Sequence, residues 1–388
     1  MLKYNHSQNF KEVNILKEKR LVTLLAKYYL SKDEENELNN LMAEYLNWGE
    51  VLGHLMMNRV MGIAWATIEK FHLNNEENTN SYIKFIPILK EYSKMLTIKQ
   101  NEQMSNMMPI YNDLNNFKIE YGALKGLALQ KYAYNMSIPR DFNDNDVLIN
   151  LEDSAKVSEI VKKRGYLNGQ KDYVNSDVKE SDRKKIIIRT MVTHELYPFI
   201  KKIKDSFIDF HIIDFQFSLE LYSSKRTTEI VKEMLSNRKK LDIDDSTSFY
   251  ALDLEDTLIF TMLHYYKEAI YELKILNYKD LALYKICDIH FLLKHKELDQ
   301  TKLISRIKKY SLSKACYYAW YHCSRIFDLD NKDLFDALDI EDKEFVKYYY
   351  SEDHMNEFLW NEDYNQRIFD YTRANKVNNQ IKNRNNQT

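Results

Sequence analysis

Apolar and polar positions divide the chain into three stretches. Residues 11 to about 115, and again about 218 to 370, carry apolar side chains at spacings of three and four, which is the period of an amphipathic helix. The clearest N-terminal stripe consists of Leu38, Leu41, Met42, Tyr45 and Leu46. Only 7 glycines and 4 prolines occur in the 388 residues, so few positions interrupt helices and we predict long helices in both stretches.

The middle stretch changes character near residue 117. Phe117, Ile119 and Tyr121 alternate with polar residues, which is the period of a strand. We predict strands at about 117–124, 144–150, 184–192 and 206–213, and helices at about 126–134 and 151–166. The first, second and fourth of these strands are expected to lie side by side in one mixed sheet.

These patterns predict four regions along the chain. They are an N-terminal helical region (1–115), an α/β core (116–217), a C-terminal helical domain (218–370) and a polar tail (371–388). The tail has few large apolar side chains, so we expect it to be disordered or loosely attached. A hydrophobic content of 44% is ordinary for a globular protein and allows a sizeable core.

Charge and cysteine content narrow the class of protein. The 56 basic and 58 acidic residues are well mixed, and without a basic stripe the electrostatics argue against a nucleic acid partner. The chain shows neither an N-terminal signal segment nor an apolar run of ~18 residues, so we expect no membrane partner. Cys287, Cys316 and Cys323 lack metal-binding spacing, which favours buried thiols in a reducing compartment, the cytoplasm.

Two carboxylates stand two residues apart at the start of the predicted strand 144–150. Such positions share a strand face, so Asp144 and Asp146 project together, ~5–7 Å apart. A divalent cation relieves the repulsion between them, and Mg²⁺ prefers carboxylate oxygens together with substrate phosphates. The pair by itself also fits a solvent-exposed strand.

Two further features favour the metal interpretation. Lys125 and Gly126 end a predicted strand and open a helix, where backbone N–H groups and the helix dipole favour a phosphate. Asp209 lies between Ile208 and Phe210 on a later predicted strand, where a charge needs a partner. Together, the glycine turn, the alternating aspartates and the later carboxylate suit two-metal phosphoryl or nucleotidyl transfer.

The segment "LKGLALQKYAYNMSIPRDFNDNDVLIN" resembles the signature of the uncharacterised nucleotidyltransferase family within the polymerase-β superfamily. The matching positions are Leu124, Lys125, Gly126, Leu129, Arg140, Asp144 and Asp146, followed by Val147, Leu148 and Ile149. Further similar elements are Asp209 to His211, the helical residues His264, Lys285 and Asp288, and the segment "NWGEVLGHLMMNRV". The resemblance covers roughly residues 35–325. The wider superfamily has Gly-Ser in place of Lys125-Gly126, and a glycine in place of Asn143.

The resemblance implies an α+β fold, with a polymerase-β-like nucleotidyltransferase core containing a small mixed β-sheet between N- and C-terminal helical regions. It implies a metal-dependent nucleotidyltransferase that moves a nucleoside monophosphate from an NTP to a small-molecule, peptide or protein acceptor. Mg²⁺, or alternatively Mn²⁺, would be held by Asp144, Asp146 and Asp209. Two alternatives stay open: a glycosyl or other group transferase with a nucleotide-activated donor and a peptide acceptor, and a noncatalytic nucleotide-binding or interaction module.

Several side chains keep two interpretations at this point. Lys125 either neutralises triphosphate charge or pairs with an aspartate, and Arg140 either contacts a phosphate or braces its loop. Asp141 is expected to be a loop residue or an arginine partner. His211 is either a general base, ligand or substrate contact, or a hydrogen-bonded core histidine. Structural hydrogen bonding and a place at the cleft both stay open for His194, His264, Lys285 and Asp288.

Overall fold

The computed structural model describes residues 17–73, 84–193, 195–219, 227–329, 332–351, 356–360 and 362–385. The helices are α1 (17–27), α2 (Lys32–Met42), α3 (Trp48–Met57), α4 (Met61–Lys70), α5 (Ile86–Asn116), α6 (Leu127–Tyr132), α7 (Ser154–Lys163), α8 (Arg183–Thr193), α9 (Thr228–Ser236), α10 (Leu254–Ala269), α11 (Glu272–Leu276), α12 (Leu283–Leu293), α13 (Gln300–Lys309), α14 (Ser313–Phe327), α15 (Lys332–Asp336), α16 (Tyr364–Arg367) and α17 (Arg373–Asn385). None of the helices within these ranges has the length and apolar character needed to span a bilayer.

The strands are β1 (Tyr121–Ala123), β2 (Asn145–Ile149), β3 (Leu167–Asp172), β4 (Asp177–Glu180), β5 (Phe199–Lys202), β6 (Phe210–Gln216), β7 (Lys239–Asp242), β8 (Ser248–Ala251), β9 (Tyr348–Tyr350) and β10 (Glu357–Leu359). Strands β1 to β8 form one mixed sheet in the order β4-β3-β5-β6-β2-β1-β8-β7. The strands predicted at 117–124, 144–150 and 206–213 correspond to β1, β2 and β6, which are neighbours. The predicted α+β fold with a mixed sheet is therefore confirmed.

The central pair, β2 and β6, runs parallel with Asp146 opposite Asp214. Because side chains alternate along a strand, every second residue of this pair faces the same way. Val147 and Ile213 point into a core made with α5 and α7. Asp146 and Asp214 belong to the other face, on which Leu148 packs against the helical core. The sheet is thus apolar on one face and carries carboxylates on the other.

The N-terminal and C-terminal helices share one hydrophobic core. Leu25 of α1 and Ile63 of α4 belong to the same buried cluster as Ile286 of α12 and Tyr318 of α14. The 31-residue helix α5 joins this cluster to the core beneath the sheet, since it contributes buried side chains to both. The predicted α/β core ends at residue 217, but the sheet extends beyond that point, because β7 and β8 also belong to it. The division into domains stays a prediction, but helices of both regions form one helical layer on the carboxylate face of the sheet, while part of α5 packs on the apolar face.

One predicted strand is wrong. Residues 184–192 lie in helix α8, although three consecutive isoleucines favour a strand there. Asp182 favours a helix start here, since its carboxylate accepts a hydrogen bond from the N–H of Lys185 at 2.9 Å, as an N-cap residue does.

Two other expectations also need correction. Strand β6 begins at Phe210, four residues later than predicted, and this places Asp209 outside it. The tail was expected to be disordered or loosely attached, yet it contains α17. Its anchors are Arg373, which pairs with buried Asp280 at 2.9 Å, and Val377, which is 1% exposed. Two anchoring side chains in a polar segment are too few to stand out in its composition.

Candidate functional site

A cavity of about 540 Å³ opens between the carboxylate face of the sheet and the helical layer. Its sheet side is formed by the β1–α6 turn, the loop before β2 and strand β6, and its helical side by α10, α11 and α12. The basic residues along it are Arg59, Lys125, Arg140, Arg189, Lys274, Lys279 and Lys285, and the acidic ones are Asp141, Asp144, Asp146, Glu195, Asp214, Glu268 and Asp288. Such a volume is in the range of small-molecule and cofactor sites.

The turn after β1 requires glycine. Gly126 has φ +53° and ψ −113°, a conformation that other residues avoid. A Cβ atom there would also lie 3.2 Å from the carbonyl oxygen of Asp144, so the turn packs tightly on the loop before β2. The N–H of Leu124 donates to the carbonyl oxygen of Asp146 at 3.0 Å, and this bond ties the start of the turn to β2. Lys125 and Gly126 both line the cavity, as predicted.

Three aspartates line one side of the cavity, which we call its floor. Asp144 precedes β2, Asp146 lies within it, and Asp214 occupies the paired position on β6. Burial, followed by the charges of Asp144 and Asp146, raises the pKa of Asp214 well above its ordinary value. Burial and Asp144 likewise raise the pKa of Asp146 to about 6, although Lys125 opposes this rise. The floor therefore concentrates negative charge that the protein itself does not fully compensate.

Lys125 is the cation closest to this floor. Its Nζ lies 3.0 Å from Oδ2 of Asp146, while the amide of Gln216 donates to Oδ1 of the same carboxylate at 3.1 Å. Burial disfavours the charged ammonium, but Asp146, Asp144 and Glu268 outweigh this effect and raise the pKa of Lys125. Among the described residues, no cation lies within ion-pair distance of Asp144 or Asp214. Lys125 thus compensates only part of the charge.

The loop before β2 is braced from both helical regions. Arg140 makes a bidentate pair with Asp288 of α12, with both N–O distances at 2.7 Å, and Tyr134 donates to the same carboxylate at 2.6 Å. Arg59 and Lys99 pair with Asp141 at 2.8 and 2.6 Å. Burial opposes ionisation of Asp141, but these two cations lower its pKa to about 2.

The contacts show Arg140 bracing the loop, since Asp288 engages its Nε and Nη2. A phosphate contact by the same residue, which lines the cavity, stays a prediction. Asp141 is the arginine partner that the sequence suggested. Gly62 lets the loop pass close to α4, because a Cβ atom there would lie 2.2 Å from the carbonyl oxygen of Pro139.

Two predicted site residues lie elsewhere. Asp209 is exposed and does not line the cavity, so the structure does not bring it to Asp144 and Asp146. His211 is fully buried on the opposite face, where Nε2 lies 3.0 Å from the amide nitrogen of Asn145 and Nδ1 lies 2.8 Å from the hydroxyl of Tyr166. Burial lowers its pKa to about 4. His211 is therefore the hydrogen-bonded core histidine of the two interpretations.

The helical wall contributes a connected row of polar side chains. Nε2 of His264 lies 3.3 Å from Nζ of Lys125 and 3.1 Å from Oε2 of Glu268. Glu268 in turn accepts from Lys285 at 2.5 Å. His264 and Lys285 both line the cavity, as does Asp288. His194, the fourth residue with an open role, lies outside the described residues.

Asp214, Glu195 and Gln216 were missed by the sequence analysis although all three line the cavity. A signal for Asp214 exists, because Ile-Asp-Phe occurs at 208–210 and again at 213–215. Only the register of β6 against β2 shows which copy faces the cavity.

The donor set on the floor fits a magnesium ion by its chemistry, since carboxylate oxygens are preferred ligands of this hard cation. Oδ1 of Asp214 is buried and has no hydrogen-bond partner within the described ranges, which is costly unless something else contacts it. In that part of the chain, no three His, Cys, Asp or Glu side chains are already grouped closely enough to hold a metal ion. The residues match an ion by type and charge, and their carboxylates would have to draw together to bind it.

Comparisons with known proteins agree with the resemblance. The family model described as "Uncharacterised nucleotidyltransferase" matches residues 44–328, which include the cavity floor, the braced loop and the helical wall. A search of curated proteins finds no match. The family match extends over well more than half of the 388 residues. The chain therefore belongs to the uncharacterised nucleotidyltransferase family.

Proposed function

We propose that this protein transfers a nucleoside monophosphate from a magnesium-bound NTP to a small-molecule, peptide or protein acceptor. The observation that carries the proposal is the convergence of Asp144, Asp146 and Asp214 on one cavity beside Lys125 and Gly126. Parallel strands β2 and β6 bring two of these carboxylates side by side, and the third precedes β2 on the same face. Uncompensated negative charge of this kind suits a site completed by divalent cations and their nucleotide.

The three aspartates would hold one or two Mg²⁺ ions. When bound, such ions polarise the α-phosphate, align the acceptor and offset the charge of the leaving pyrophosphate. The protein's own part is to fix the carboxylates on rigid strands and to keep the floor buried, so that few rearrangements accompany the reaction.

Lys125 and Gly126 would receive the phosphate chain. Helix α6 has only six residues, so its dipole is small and the ammonium group of Lys125 is the main attraction for phosphate. Gly126 has no side chain and lines the cavity, so its backbone N–H is a candidate phosphate contact. Lys274 and Lys279 line the cavity from α11 and the turn after it. They are candidates to contact the phosphates of the triphosphate that lie beyond Lys125.

The acceptor is constrained by charge. Among the described residues, seven basic and seven acidic side chains line the cavity, so their formal charges balance. A polynucleotide needs an extended row of basic residues, which the described lining does not offer. A hydroxyl or amine of a small molecule, peptide or protein fits better.

The proposal is tested by comparing Asp214→Asn with Asp209→Asn. Both variants change one Ile-Asp-Phe aspartate, but only Asp214 lines the cavity, so Asp209→Asn is a matched control. We expect Mg²⁺ with one of the four NTPs to raise the thermal midpoint of the wild type and of Asp209→Asn, and not of Asp214→Asn. Release of labelled monophosphate from [α-³²P]NTP should fall about a hundredfold or more in Asp214→Asn alone.

Two results would contradict the proposal. One is a wild type that neither binds nor turns over any Mg²⁺-NTP, and the other is an Asp214→Asn variant with wild-type turnover. Mass analysis of any modified acceptor separates a nucleotide-sized addition from a hexose-sized one.

A further inference from the structure

His264 stands between the cavity and a buried ion pair. Its Nε2 lies 3.1 Å from Oε2 of Glu268, one helical turn further along α10. Glu268 is held by Lys285, whose Nζ also contacts the backbone carbonyls of Lys279 and Asp280. Although burial opposes ionisation of Glu268, Lys285 and His264 keep its pKa well below the ordinary value. An ionised carboxylate is therefore fixed directly behind the imidazole.

The two neighbours of Nε2 require opposite tautomers. Glu268 can only accept, so it needs a proton on Nε2, whereas Lys125 can only donate, so it needs a lone pair there. The contact with Glu268 is shorter, at 3.1 Å against 3.3 Å, and Lys125 already lies 3.0 Å from Asp146. The contact with Glu268 therefore determines the tautomer, and the neutral imidazole carries its proton on Nε2.

This assignment leaves the lone pair on Nδ1. Within the described part of the chain, Nδ1 of His264 has no hydrogen-bond partner. This atom is not fully buried. His264 lines the cavity with 21% of its side chain exposed, while Nε2 is occupied by Glu268. The ring nitrogen without a partner thus belongs to a residue that lines the cavity. A carboxylate behind an imidazole whose other nitrogen is free is the arrangement that orients a general base.

We propose that His264 is the catalytic general base that activates the acceptor, with Glu268 as its positioning residue. The proposal rests on the proposed nucleotidyl transfer. Nδ1 takes the proton from an acceptor hydroxyl as the acceptor oxygen forms a bond to the α-phosphorus. The bond between the α-phosphorus and the bridging oxygen breaks, and pyrophosphate leaves with that electron pair. The imidazolium then returns the proton to solvent. The acceptor class is accordingly a neutral nucleophile that must lose a proton, such as an alcohol.

The charges around His264 suit this role. Burial and Lys125 lower its pKa to about 4 in the ligand-free protein, so the ring is neutral and able to accept a proton at pH 7. The charged groups that face it are Lys125 from the turn before α6, Glu268 from its own helix and Lys285 from α12. A bound triphosphate offsets the charge of Lys125 and makes the imidazole more basic. His264 therefore becomes an effective base only when the nucleotide is bound.

The first test needs no acceptor. Histidine-selective ¹⁵N labelling, with the resonances assigned by their loss in His264→Gln, reports the tautomer of the wild-type ring. We expect a proton on Nε2 and none on Nδ1 at pH 7. A proton on Nδ1 would overturn the proposal whatever the activity of the protein.

The second test uses water as the acceptor and follows hydrolysis of [α-³²P]NTP with Mg²⁺. His264→Gln keeps a donor for Glu268 but provides no base, so nucleotide binding should persist while kcat falls about a hundredfold or more. Glu268→Gln should lower kcat less. His295→Gln, outside the cavity, is the matched control and should retain wild-type turnover.

The outcomes separate the two proposals. Wild-type kcat in His264→Gln, with Asp144→Asn inactive, would overturn the role of His264 and leave nucleotidyl transfer intact. A wild type that neither binds nor turns over any of the four NTPs would remove both.

Discussion

Replacing Asp146 by Asn removes a negative charge from the cavity floor and should make the metal-free protein more stable. Asp146 is 4% exposed, and burial together with Asp144 raises its pKa to about 6 from an ordinary 3.8. This rise of roughly two pKa units corresponds to about 3 kcal/mol of unfavourable free energy once the group is ionised, at ~1.4 kcal/mol per unit. The ion pair with Lys125 is already included in that balance, because it opposes the rise.

The sign of the pH dependence follows from the raised pKa. The folded protein binds this proton more tightly than the unfolded chain does, so the wild type loses stability as the pH rises from about 4 through about 6. Asn does not titrate. Both proteins should therefore be similarly stable near pH 4, and the variant should gain up to about 3 kcal/mol at pH 7.5. With an unfolding entropy of about 2 cal/mol/K per residue, the midpoint would rise roughly 4 °C if the chain unfolds as one unit.

Thermal melts in EDTA between pH 4 and pH 8 measure this difference. Asp209→Asn is the control, because Asp209 is exposed and outside the cavity, and its midpoint should follow the wild type. Adding Mg²⁺-NTP should raise the wild-type midpoint and leave that of Asp146→Asn unchanged. A variant less stable than the wild type at pH 7.5, or a difference that does not shrink towards pH 4, would refute the reasoning.

Three further substitutions test the supporting structure. Gly126→Ala should lower the free energy of unfolding by about 1–2 kcal/mol in urea and weaken the response to Mg²⁺-NTP, because φ is +53° there; an unchanged urea midpoint would contradict this. Arg140→Lys loses half of the bidentate pair with buried Asp288, and urea unfolding should show a loss of about 1–3 kcal/mol, whereas a neutral effect would mean that the pair does not brace the loop. His290 has a pKa lowered by burial to about 3, and neither ring nitrogen has a partner in the described ranges. His290→Leu should gain about 1 kcal/mol at pH 7 and lose less stability than the wild type as the pH falls below 6.5, and melts that show neither effect would count against this account.

The sequence predicted the parts of the fold that local patterns specify. Strand β2, with its apolar Val-Leu-Ile run, and the adjoining β1 and β6 are examples, because alternation and turn residues are local signals. The shared core of the first and last helical regions could not be predicted, since an amphipathic stripe does not indicate which other stripe covers it. Helix α8 was missed because the preference of three isoleucines for strands outweighed the single capping signal at Asp182.

The site residues that the sequence predicted at the cavity are those that lie close together along the chain. Lys125, Gly126, Asp144 and Asp146 belong to one strand-turn-helix-strand unit, and all four line the cavity. The third aspartate comes from a strand some seventy residues later, so its identity depends on register. A shift of one residue changes the face of every side chain on a strand, and no local pattern distinguishes Asp214 from the similarly flanked Asp209.

The cavity depends on contacts between stretches that the sequence pattern separates. Arg59 from the N-terminal helices reaches Asp141, and Asp288 from the C-terminal helices reaches Arg140, so the loop that carries Asp144 is braced from two directions. Arg140 and Asp288 are both buried and pair with no other charged group within the described residues, so losing either leaves one uncompensated charge, which costs more than the pair contributes. The family match over residues 44–328 begins before the first of these partners and ends after the last. The matched stretch therefore includes the helical walls as well as the sheet, and in this protein the sheet positions the carboxylates while the helices hold the loop.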